Sequence, residues 1–402
     1  MQRIYMDANA TTPLLPAVVD AMRPFWIEHF GNASSIHQQG QYARGAVEQA
    51  RFTIARLLHC LNSEIVFTSG GTESDNLALF GTLLAQPTAA KPHLITTSIE
   101  HHAVLHAAQA LEERGVEVTI LPCTADGIIL PATLQAALRP NTRLVSIIFA
   151  NNETGTIQPI PELAAIAHNA GALFHTDAVQ AAGKLPLDLS PEGPLHHVDL
   201  LSISGHKMYA PQGTGILFVR RNVRLTPLFH GGTHERQRRA GTENVPGIVG
   251  LGKAAELAQQ WLAEDAPTDG PTHLAALRDR LEQSILAAVP DSGVNGAGTL
   301  RGSNTTNIFF DHVEAEALVI ALDLKGLSVS GGSACQSGAA EPSHVLTAMG
   351  LSPARARASV RFSLSRLTTH AEVDTALTII PTAVARLREL SPAYHKPATA
   401  SV

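Results

Sequence analysis

Hydrophobic and polar positions along the chain follow two alternating patterns. Short apolar runs predict strands at residues 64–68, 93–97, 116–121 and 144–150. Between such runs, apolar residues recur at helical spacing, for example Val47, Ala50 and Ile54 within a predicted helix over about 41–59. Strands that alternate with helices predict a mostly parallel sheet covered by helices on both faces, an α/β fold with three layers.

The same patterns continue to the end of the chain and suggest a division into parts. Further strands are predicted at 172–175 and 216–219 and in the run 200–207, whose last residues are polar. Helices are predicted over about 17–29 and 249–262. The polar, proline-containing run 264–271 is typical of a connector between domains. Strands at 307–310, 327–330 and 359–363 then predict a smaller α/β unit. We therefore expect an N-terminal arm (1–15) that packs with the small domain, a large domain (16–263), and a small domain (264–402) with a loop at about 328–341.

Composition narrows the possible functions. The chain has 402 residues, of which 45% are hydrophobic and 16% charged, so it can bury a sizeable core. A formal net charge of -6 gives no basic field for nucleic acid, and no apolar run reaches the roughly 20 residues that span a membrane. Three cysteines without metal-knuckle spacing and a start without an apolar signal core predict a reducing, cytoplasmic setting and no resident metal.

Polar side chains follow several predicted strands directly, and ligands of such sheets gather at the carboxyl ends of strands. Lys207 follows an apolar strand and is one of only six lysines in the chain. It is either a solvated loop lysine or the amine that forms a Schiff base with pyridoxal phosphate. Asp177 could keep a pyridinium nitrogen protonated, and His101 could lie over the ring. Asn152 and Gln180 are amide donors for a ring oxygen or a substrate carboxylate.

Two further stretches could hold an anion. Ser69, Gly70, Gly71 and Thr72 form a glycine turn between a strand and a helix, where free backbone N–H groups favour an anion. An ordinary capped helix is the alternative interpretation. The arginine-containing loop 230–244, which ends near Thr242, is either a solvated surface or a second contact with a phosphate.

Cys335 differs from the other two cysteines because it lies among small, flexible residues. Cys60 and Cys123 have apolar neighbours and are expected to be inert, partly buried thiols. A thiol on a flexible glycine- and serine-rich segment suggests reactivity and could carry sulfur from one place to another. Further along, Arg361 lies on the strand-like run 359–363 and could hold a substrate carboxylate with its planar guanidinium.

Seven motifs in one order resemble the cysteine desulfurases of the NifS/IscS group. They are T-E-S-D-N at 72–76, E-H at 100–101, A-N-N-E-T-G at 150–155, H-T-D-A-V-Q at 175–180, S-G-H-K at 204–207, A-G-T-E-N at 240–244 and G-S-A-C at 332–335. The resemblance implies a fold-type I pyridoxal phosphate enzyme of the class V aminotransferase superfamily. It also implies a homodimer that converts L-cysteine to L-alanine and passes the sulfur to an enzyme thiol as a persulfide.

The resemblance also implies roles for individual residues. Lys207 matches the Schiff-base lysine and Cys335 the persulfide carrier. His101 matches the residue that stacks on the cofactor ring, and it could also move protons between the thiols. Asp177 and Gln180 match the partners of the ring nitrogen and ring hydroxyl. The implied contacts with the cofactor's phosphate are Gly71, Thr72, Ser204, His206 and, from the other subunit, Thr242. The implied contacts with the substrate's carboxylate are Asn152 and Arg361.

Some features of the resemblance leave alternatives open. The motifs are most similar to the nitrogen-fixation branch, and the long cysteine segment is typical of enzymes that feed an iron–sulfur scaffold protein. The family's Gly-Asn-Pro is replaced by Gly31-Asn32-Ala33, and His102 stands where that branch often has proline. A selenocysteine lyase or another class V enzyme would share the cofactor residues. A docking protein without cofactor would be expected to lack Lys207 or Asp177, and both are present.

Overall fold

The computed structural model describes residues 3–85, 91–263, 269–331 and 342–391. Cys335, most of the predicted cysteine loop and part of the predicted connector lie outside the described residues. The described strands, in chain order, are β1 (Ile4–Tyr5), β2 (Ile65–Thr68), β3 (His93–Thr97), β4 (Glu117–Leu121), β5 (Thr142–Ser146), β6 (Leu173–Asp177), β7 (Leu200–Ser204), β8 (Gly215–Val219), β9 (Ser292–Val294), β10 (Thr305–Phe310), β11 (Leu327–Ser328), β12 (Ser330–Gly331) and β13 (Ser359–Ser363).

The described helices, in chain order, are α1 (Pro16–Met22), α2 (Pro24–Ile27), α3 (Gln38–Leu57), α4 (Gly71–Leu83), α5 (His102–Glu112), α6 (Pro131–Ala137), α7 (Ile160–Asn169), α8 (Val245–Ala263), α9 (Pro271–Ala288), α10 (Ala315–Leu324), α11 (His344–Ala348), α12 (Pro353–Arg357) and α13 (His370–Leu390). Among the residues described, no helix is long and apolar enough to cross a membrane.

A seven-stranded sheet with the order β2-β8-β7-β6-β5-β3-β4 forms the centre of the molecule. β8 pairs antiparallel with both of its neighbours, whereas the pairs from β7 to β4 are parallel. The predicted α/β fold with a mostly parallel sheet is confirmed. In this sheet the carboxyl ends of β6 and β7 lie side by side, which brings the residues that follow them together.

Each face of the central sheet has its own apolar core, because successive side chains of a strand point to opposite faces. In β7, Leu201 and Ile203 join the core under α3, α7 and α8, whereas Leu200 joins the core under α4 and α5. All three residues are at most 1% exposed. The strands are apolar on both faces because helices cover both.

A third core lies in the C-terminal part of the chain. There β12, β13, β10 and β9 form an antiparallel sheet, packed with helices α9, α10 and α13. The N-terminal arm joins this part, since β1 pairs with β11 and both Ile4 and Met6 are buried in the same core. The arm then runs to the edge of the central sheet, where Thr12 donates its N–H to the carbonyl of His206.

Three predicted elements differ from the structure. The predicted helix over 17–29 is two helices, because Pro24 begins α2 and cannot continue the hydrogen-bond ladder of α1. The strand predicted to end at residue 150 ends at Ser146, but the segment after it stays beside β6, since Ile147 and Phe149 donate their N–H groups to the carbonyls of His175 and Asp177. The strand predicted at 327–330 is two short strands on either side of Val329, which pair in different sheets.

Candidate active site

A cavity of about 580 Å³ lies at the carboxyl ends of the parallel strands. Ten of the predicted site residues line it: Gly71, Thr72, His101, Asn152, Asp177, Gln180, Ser204, His206, Lys207 and Arg361. Thr242 is exposed and does not line the cavity within one chain. Cys335 lies outside the described residues. Residues from widely separated parts of the chain therefore meet in one place, as the strand-end pattern predicts.

Lys207 lies in a single helical turn directly after β7. The tight turn depends on Gly205, since a Cβ there would lie 2.4 Å from the hydroxyl of Thr214. The Lys207 ammonium donates hydrogen bonds to the backbone carbonyls of Asn9 and Ala10, with Nζ to oxygen distances of 2.5 and 2.7 Å. The N-terminal arm thus supplies the acceptors that hold the lysine in the cavity.

His101 is the N-cap residue of α5, and its Nδ1 accepts the backbone N–H of Ala103 at 3.1 Å. Burial, and after it the positive charge of Lys207, lowers the pKa of His101 to about 4. The imidazole is therefore neutral near pH 7. With Nδ1 occupied as an acceptor, its proton is on Nε2. The ring can lie against an aromatic cofactor and donate a hydrogen bond without carrying a charge.

Asp177 ends β6 at the floor of the cavity and is 4% exposed. One of its carboxylate oxygens accepts the backbone N–H of Val179 at 2.9 Å. Burial raises its pKa to about 6, while the Val179 hydrogen bond and the charge of Lys207 act in the opposite direction. The carboxyl group is thus dry but still ionised near neutral pH, which suits a partner for a protonated ring nitrogen.

Two more buried carboxyl groups lie near Asp177. Burial, followed by the charge of Asp177, raises the pKa of Asp75 well above its usual value. Burial likewise raises the pKa of Glu100 to about 8, although one of its oxygens accepts hydrogen bonds from the Thr97 hydroxyl (2.7 Å) and from the Ile148 N–H (2.9 Å). Burial thus disfavours the charged forms of Asp75 and Glu100, whereas Asp177 keeps its charge near neutral pH.

The opposite end of the cavity is formed by the start of α4. No side chain caps this helix, so its first backbone N–H groups remain available for an anion. Gly70 has a φ of 156°, and a Cβ on Gly71 would lie 2.8 Å from Val179, so both glycines allow a close approach of the backbone. Thr72 and Ser204 add hydroxyl groups at the same end. This geometry fits a phosphate group.

Arg361 is 2% exposed and is held by two acceptors. Its guanidinium donates to the backbone carbonyl of Asn152 at 2.9 Å and to the carboxylate of Asp7 at 2.8 Å. Its buried Nε has no hydrogen-bond partner among the described residues. A buried, unsatisfied donor on a fixed guanidinium indicates a binding place for a carboxylate.

The arginine-containing loop is anchored beside α4. Arg239 forms an ion pair with Glu73 at 2.9 Å, and Arg238 donates to the Ser63 carbonyl at 3.0 Å. The positive charge of Arg239 is therefore matched within the chain. The exposed Thr242 lies just beyond this anchor on the outer surface.

The two described cysteines are poor nucleophiles. Both are partly buried and pack against the main core, as their apolar neighbours predict. Burial raises the pKa of Cys60 to about 12 and also raises the pKa of Cys123. Their thiols therefore remain protonated near neutral pH.

Several residues of the cavity were missed by sequence reasoning. Asn9 and Ala10 bind Lys207 from the arm, and His102 and His344 line the cavity with a ring-centroid separation of 4.6 Å. Lys184 lies directly behind Gln180, with a separation of 2.7 Å between its Nζ and the amide oxygen. Its position in the small-residue run Ala181–Ala182–Gly183 was the one available signal, because lysine is rare in such surroundings.

The cavity has the parts of a pyridoxal phosphate site of an α/β enzyme. They are a lysine amine, a buried carboxylate, an imidazole and an anion site at a helix start. The described residues fit this cofactor at both ends, since the uncapped start of α4 suits its phosphate and Asp177 suits its ring nitrogen.

Comparisons with known proteins agree with the geometry. The family described as aminotransferase class-V matches residues 4–376, and the chain belongs to this family. A cysteine desulfurase of Trichormus azollae is 50% identical over 392 residues, which cover 98% of this chain and 95% of the relative. A cysteine desulfurase IscS of Methanosarcina thermophila is 48% identical over 98% of this chain and 95% of its own length.

Solved structures show the same relationship. A structure described as a NifS-like protein has a TM-score of 0.87 and 35% identity, covering 96% of this chain and all of its own. A structure described as SspA in complex with cysteine has a TM-score of 0.78 and 38% identity, covering 91% of this chain and all of its own. The predicted membership among pyridoxal phosphate-dependent cysteine desulfurases, with their fold, is confirmed.

Proposed function

We propose that the cavity performs cysteine desulfuration with the residue roles that the sequence predicted. The observation that carries this proposal is the meeting of Lys207, His101, Asp177 and Arg361 in one cavity. Each of the four lies on a different element, so their proximity is a product of the fold. The substrate is L-cysteine, the products are L-alanine and enzyme-bound sulfur, and the acceptor of the sulfur is Cys335.

The cofactor would be held at both ends of the cavity. Asp177 would bind the ring nitrogen and Gln180 the ring oxygen. Gly71, Thr72, Ser204 and His206 would hold the phosphate, which agrees with the uncapped start of α4. Pyridoxal phosphate bound in this position supplies an electron sink for the bonds at the substrate's α-carbon. Burial lowers the pKa of His206 to about 4, so this residue is neutral near pH 7 and can hydrogen-bond an anion but adds no charge.

The chain's own residues would orient the substrate and move its protons. The free Nε of Arg361 and the amide of Asn152 bind the carboxylate of L-cysteine. Lys207 Nζ, once free of the cofactor, takes the proton from the α-carbon. The Asn9 and Ala10 carbonyls that accept hydrogen bonds from Lys207 keep the amine at this position.

Sulfur transfer would use the thiol of Cys335. Its thiolate attacks the substrate sulfur, so that an S–S bond forms while the bond between carbon and sulfur breaks. The electron pair of the broken bond stays with the carbon fragment, which takes up protons and leaves as L-alanine. His101 is positioned to move a proton in this step, provided that Nδ1 gives up its bond to Ala103. Cys60 and Cys123 are unsuitable because burial raises the pKa of both thiols.

We also propose that the protein acts as a homodimer. Thr242 does not line the cavity of its own chain, and a second copy would bring it to the phosphate. Large apolar side chains are exposed on the N-terminal helices and the segment between them, with Trp26, Ile27, Phe30 and Ile36 between 54% and 95% exposed. An exposed apolar group of this kind is typical of a protein interface.

The persulfide would then pass to an iron–sulfur scaffold protein or another sulfur acceptor. The predicted setting is the reducing cytoplasm, where a free persulfide carrier is compatible with the redox state. Both described cysteines are free thiols, which agrees with this setting.

The direct test supplies L-cysteine or L-selenocysteine to purified holoenzyme and to the Cys335→Ala variant. We expect L-alanine from L-cysteine with wild type, together with one persulfide per active site before any reductant is added. Cys335→Ala should still bind cofactor and substrate but lose sulfide formation. If sulfide formation is unchanged in the variant, Cys335 is not the carrier. If the variant retains full activity with L-selenocysteine and wild type prefers that substrate, the protein is a selenocysteine lyase.

A further inference from the structure

Lys184 is a buried lysine that the proposed reaction does not use. It is 7% exposed and lies in the turn segment that follows β6, on the far side of Gln180 from the cavity. Its Nζ lies 2.7 Å from the amide oxygen of Gln180. Burying an ammonium group is costly, and here the hydrogen-bond partner is a neutral amide. A buried charge with this partner needs a reason.

The reason lies in the orientation of the Gln180 amide. In its protonated form Lys184 can only donate hydrogen bonds, so the amide oxygen must face it. The amide NH₂ group must then face the other way, where it donates to the Asn9 carbonyl at 3.0 Å. That carbonyl also accepts a hydrogen bond from Lys207. Lys184, Gln180, Asn9 and Lys207 thus form one connected chain of hydrogen bonds.

We propose that Lys184 is a positioning residue that fixes the Gln180 amide with its donor group toward the cavity. The inference rests on the proposed contact between Gln180 and the cofactor's ring oxygen. Without Lys184 only the Asn9 carbonyl would hold the orientation of the amide, and an amide that rotated would present its oxygen to the ring oxygen, which repels it. The donor that stabilises a negative ring oxygen would then be lost.

The charges around Lys184 agree with a function beyond packing. Burial, followed by the positive charges of Lys207 and Arg361, lowers its pKa to about 7. His206 is a further titratable group that interacts with its charge. The fold thus places the amine of Lys184 near that of Lys207, where burial and the neighbouring positive charge make a charged Lys184 unfavourable. A hydrophobic side chain of similar volume would pack there without this cost.

The test measures the pH midpoint of the colour change of bound cofactor in holoenzyme. Replacing Lys184 by methionine removes the charge and the donor while keeping the length of the side chain. We expect the midpoint to rise by about 0.5 to 1 pH unit, because losing the donor and the nearby cation both favour protonation of the coloured group. Lys184→Arg, which keeps the donors and the charge, should stay within about 0.2 unit of wild type if it folds. The matched control is Lys253→Met, since Lys253 pairs with Glu256 on the surface of α8.

A double substitution separates positioning from direct charge effects. If Lys184 acts through Gln180, the shift caused by Lys184→Met in a Gln180→Ala background is less than about half of its value in wild type. An undiminished shift in that background contradicts the positioning role, because the charge would then act directly on the cofactor. Thermal unfolding of the apoprotein shows whether each variant is folded.

Two further outcomes separate this inference from the proposed function. If Gln180→Ala shifts the midpoint but Lys184→Met does not, the Lys184 inference is wrong and the proposed function stands. If Gln180→Ala itself changes neither the midpoint nor the affinity for pyridoxal phosphate, the contact between Gln180 and the ring oxygen is wrong, and the Lys184 inference fails with it.

Discussion

The two ends of the cavity bind by different physical means. At the end formed by Gly70, Gly71, Thr72 and Ser204, here called the phosphate end, the donors are backbone N–H groups and hydroxyls around an uncapped helix start. Asp75 and Asp177 line the other end, and Glu100 lies near Asp177 without lining the cavity. These three acidic side chains, here called the carboxyl floor, are at most 4% exposed. The phosphate end is partly open to solvent, and the carboxyl floor is dry.

This difference indicates how each end obtains its specificity. Several small, neutral contributions hold an anion at the phosphate end, so no single one of them is decisive. The carboxyl floor depends on the ionisation of one residue, Asp177, beside two carboxyl groups whose pKa values burial raises. We therefore expect substitutions at the floor to have large effects and substitutions at the phosphate end to have small ones.

The largest effect is expected for Lys207, which lies between the two ends. Lys207→Ala should remove the colour of bound cofactor and reduce turnover by at least about 10⁴-fold, because both covalent attachment and proton removal depend on its amine. Absorption spectra and alanine formation measure the two effects. Lys253→Ala, on the surface of α8, is the control and should behave like wild type. Retained colour and rate in Lys207→Ala would refute the assignment of the lysine.

The next largest effect on turnover is expected at Asp177, and the same substitution at Asp75 provides the comparison. Asp177→Asn should lower turnover by about 10³-fold, since the ring nitrogen loses its charged partner. Asp75→Asn should stay within about threefold of wild type, because burial favours the neutral form of Asp75, which an asparagine resembles in shape and charge. Steady-state rates at pH 7.5 measure both. Equal losses in the two variants would show that Asp75 is ionised and that the floor has more than one negative charge.

A smaller effect concerns stability of the apoprotein. The folded pKa of Asp177, about 6, lies above its ordinary value of 3.8, so the native state binds more protons than the unfolded state between these values. The contribution of Asp177 to stability is thus fully present below pH 3.8 and falls as pH rises from about 4 to 6. Asp177→Asn should remove this part of the pH dependence. Denaturant unfolding of both apoproteins at pH 4.5 and 7 provides the comparison, and identical pH dependence would contradict the raised pKa.

The smallest effect is expected at the phosphate end. Thr72→Ala should weaken pyridoxal phosphate binding by only about 2- to 10-fold, which corresponds to one neutral hydrogen bond of about 0.5–1.5 kcal/mol. Thr72→Ser keeps the hydroxyl and serves as the matched control. Equilibrium titration of the apoprotein with cofactor measures the change. A loss of more than about 100-fold would mean that Thr72 is decisive, contrary to the distributed binding inferred here.

The sequence indicated most of the site because strand ends in a parallel sheet converge. His101, Asp177 and Lys207 each follow an apolar run. This pattern was enough to predict that they lie close together, since parallel strands end at the same edge of the sheet. The break at Pro24 was predictable in principle, because proline has no N–H with which to continue the hydrogen-bond ladder of a helix. Apolar periodicity outweighed that local signal.

Other features depend on long-range contacts that no local pattern contains. Asn9 and Lys207 are 198 positions apart, and their contact requires the arm to cross from the small sheet to the central one. The protonation of Glu100 depends on complete burial, which follows from packing on both sides of the sheet. Lys184 gave a weak signal through its small neighbours, but its partner Gln180 could be identified only in the folded chain.

The central claim is that Lys207, alone among the six lysines, carries the cofactor. Reductive trapping of pyridoxal phosphate on the holoenzyme, followed by peptide mass mapping, tests it most directly. The modified peptide should contain Lys207, with Lys184 unmodified although its amine contacts Gln180 at the edge of the cavity. Cofactor trapped on Lys184 or on any other lysine, with Lys207 unmodified, would contradict the account of the cavity.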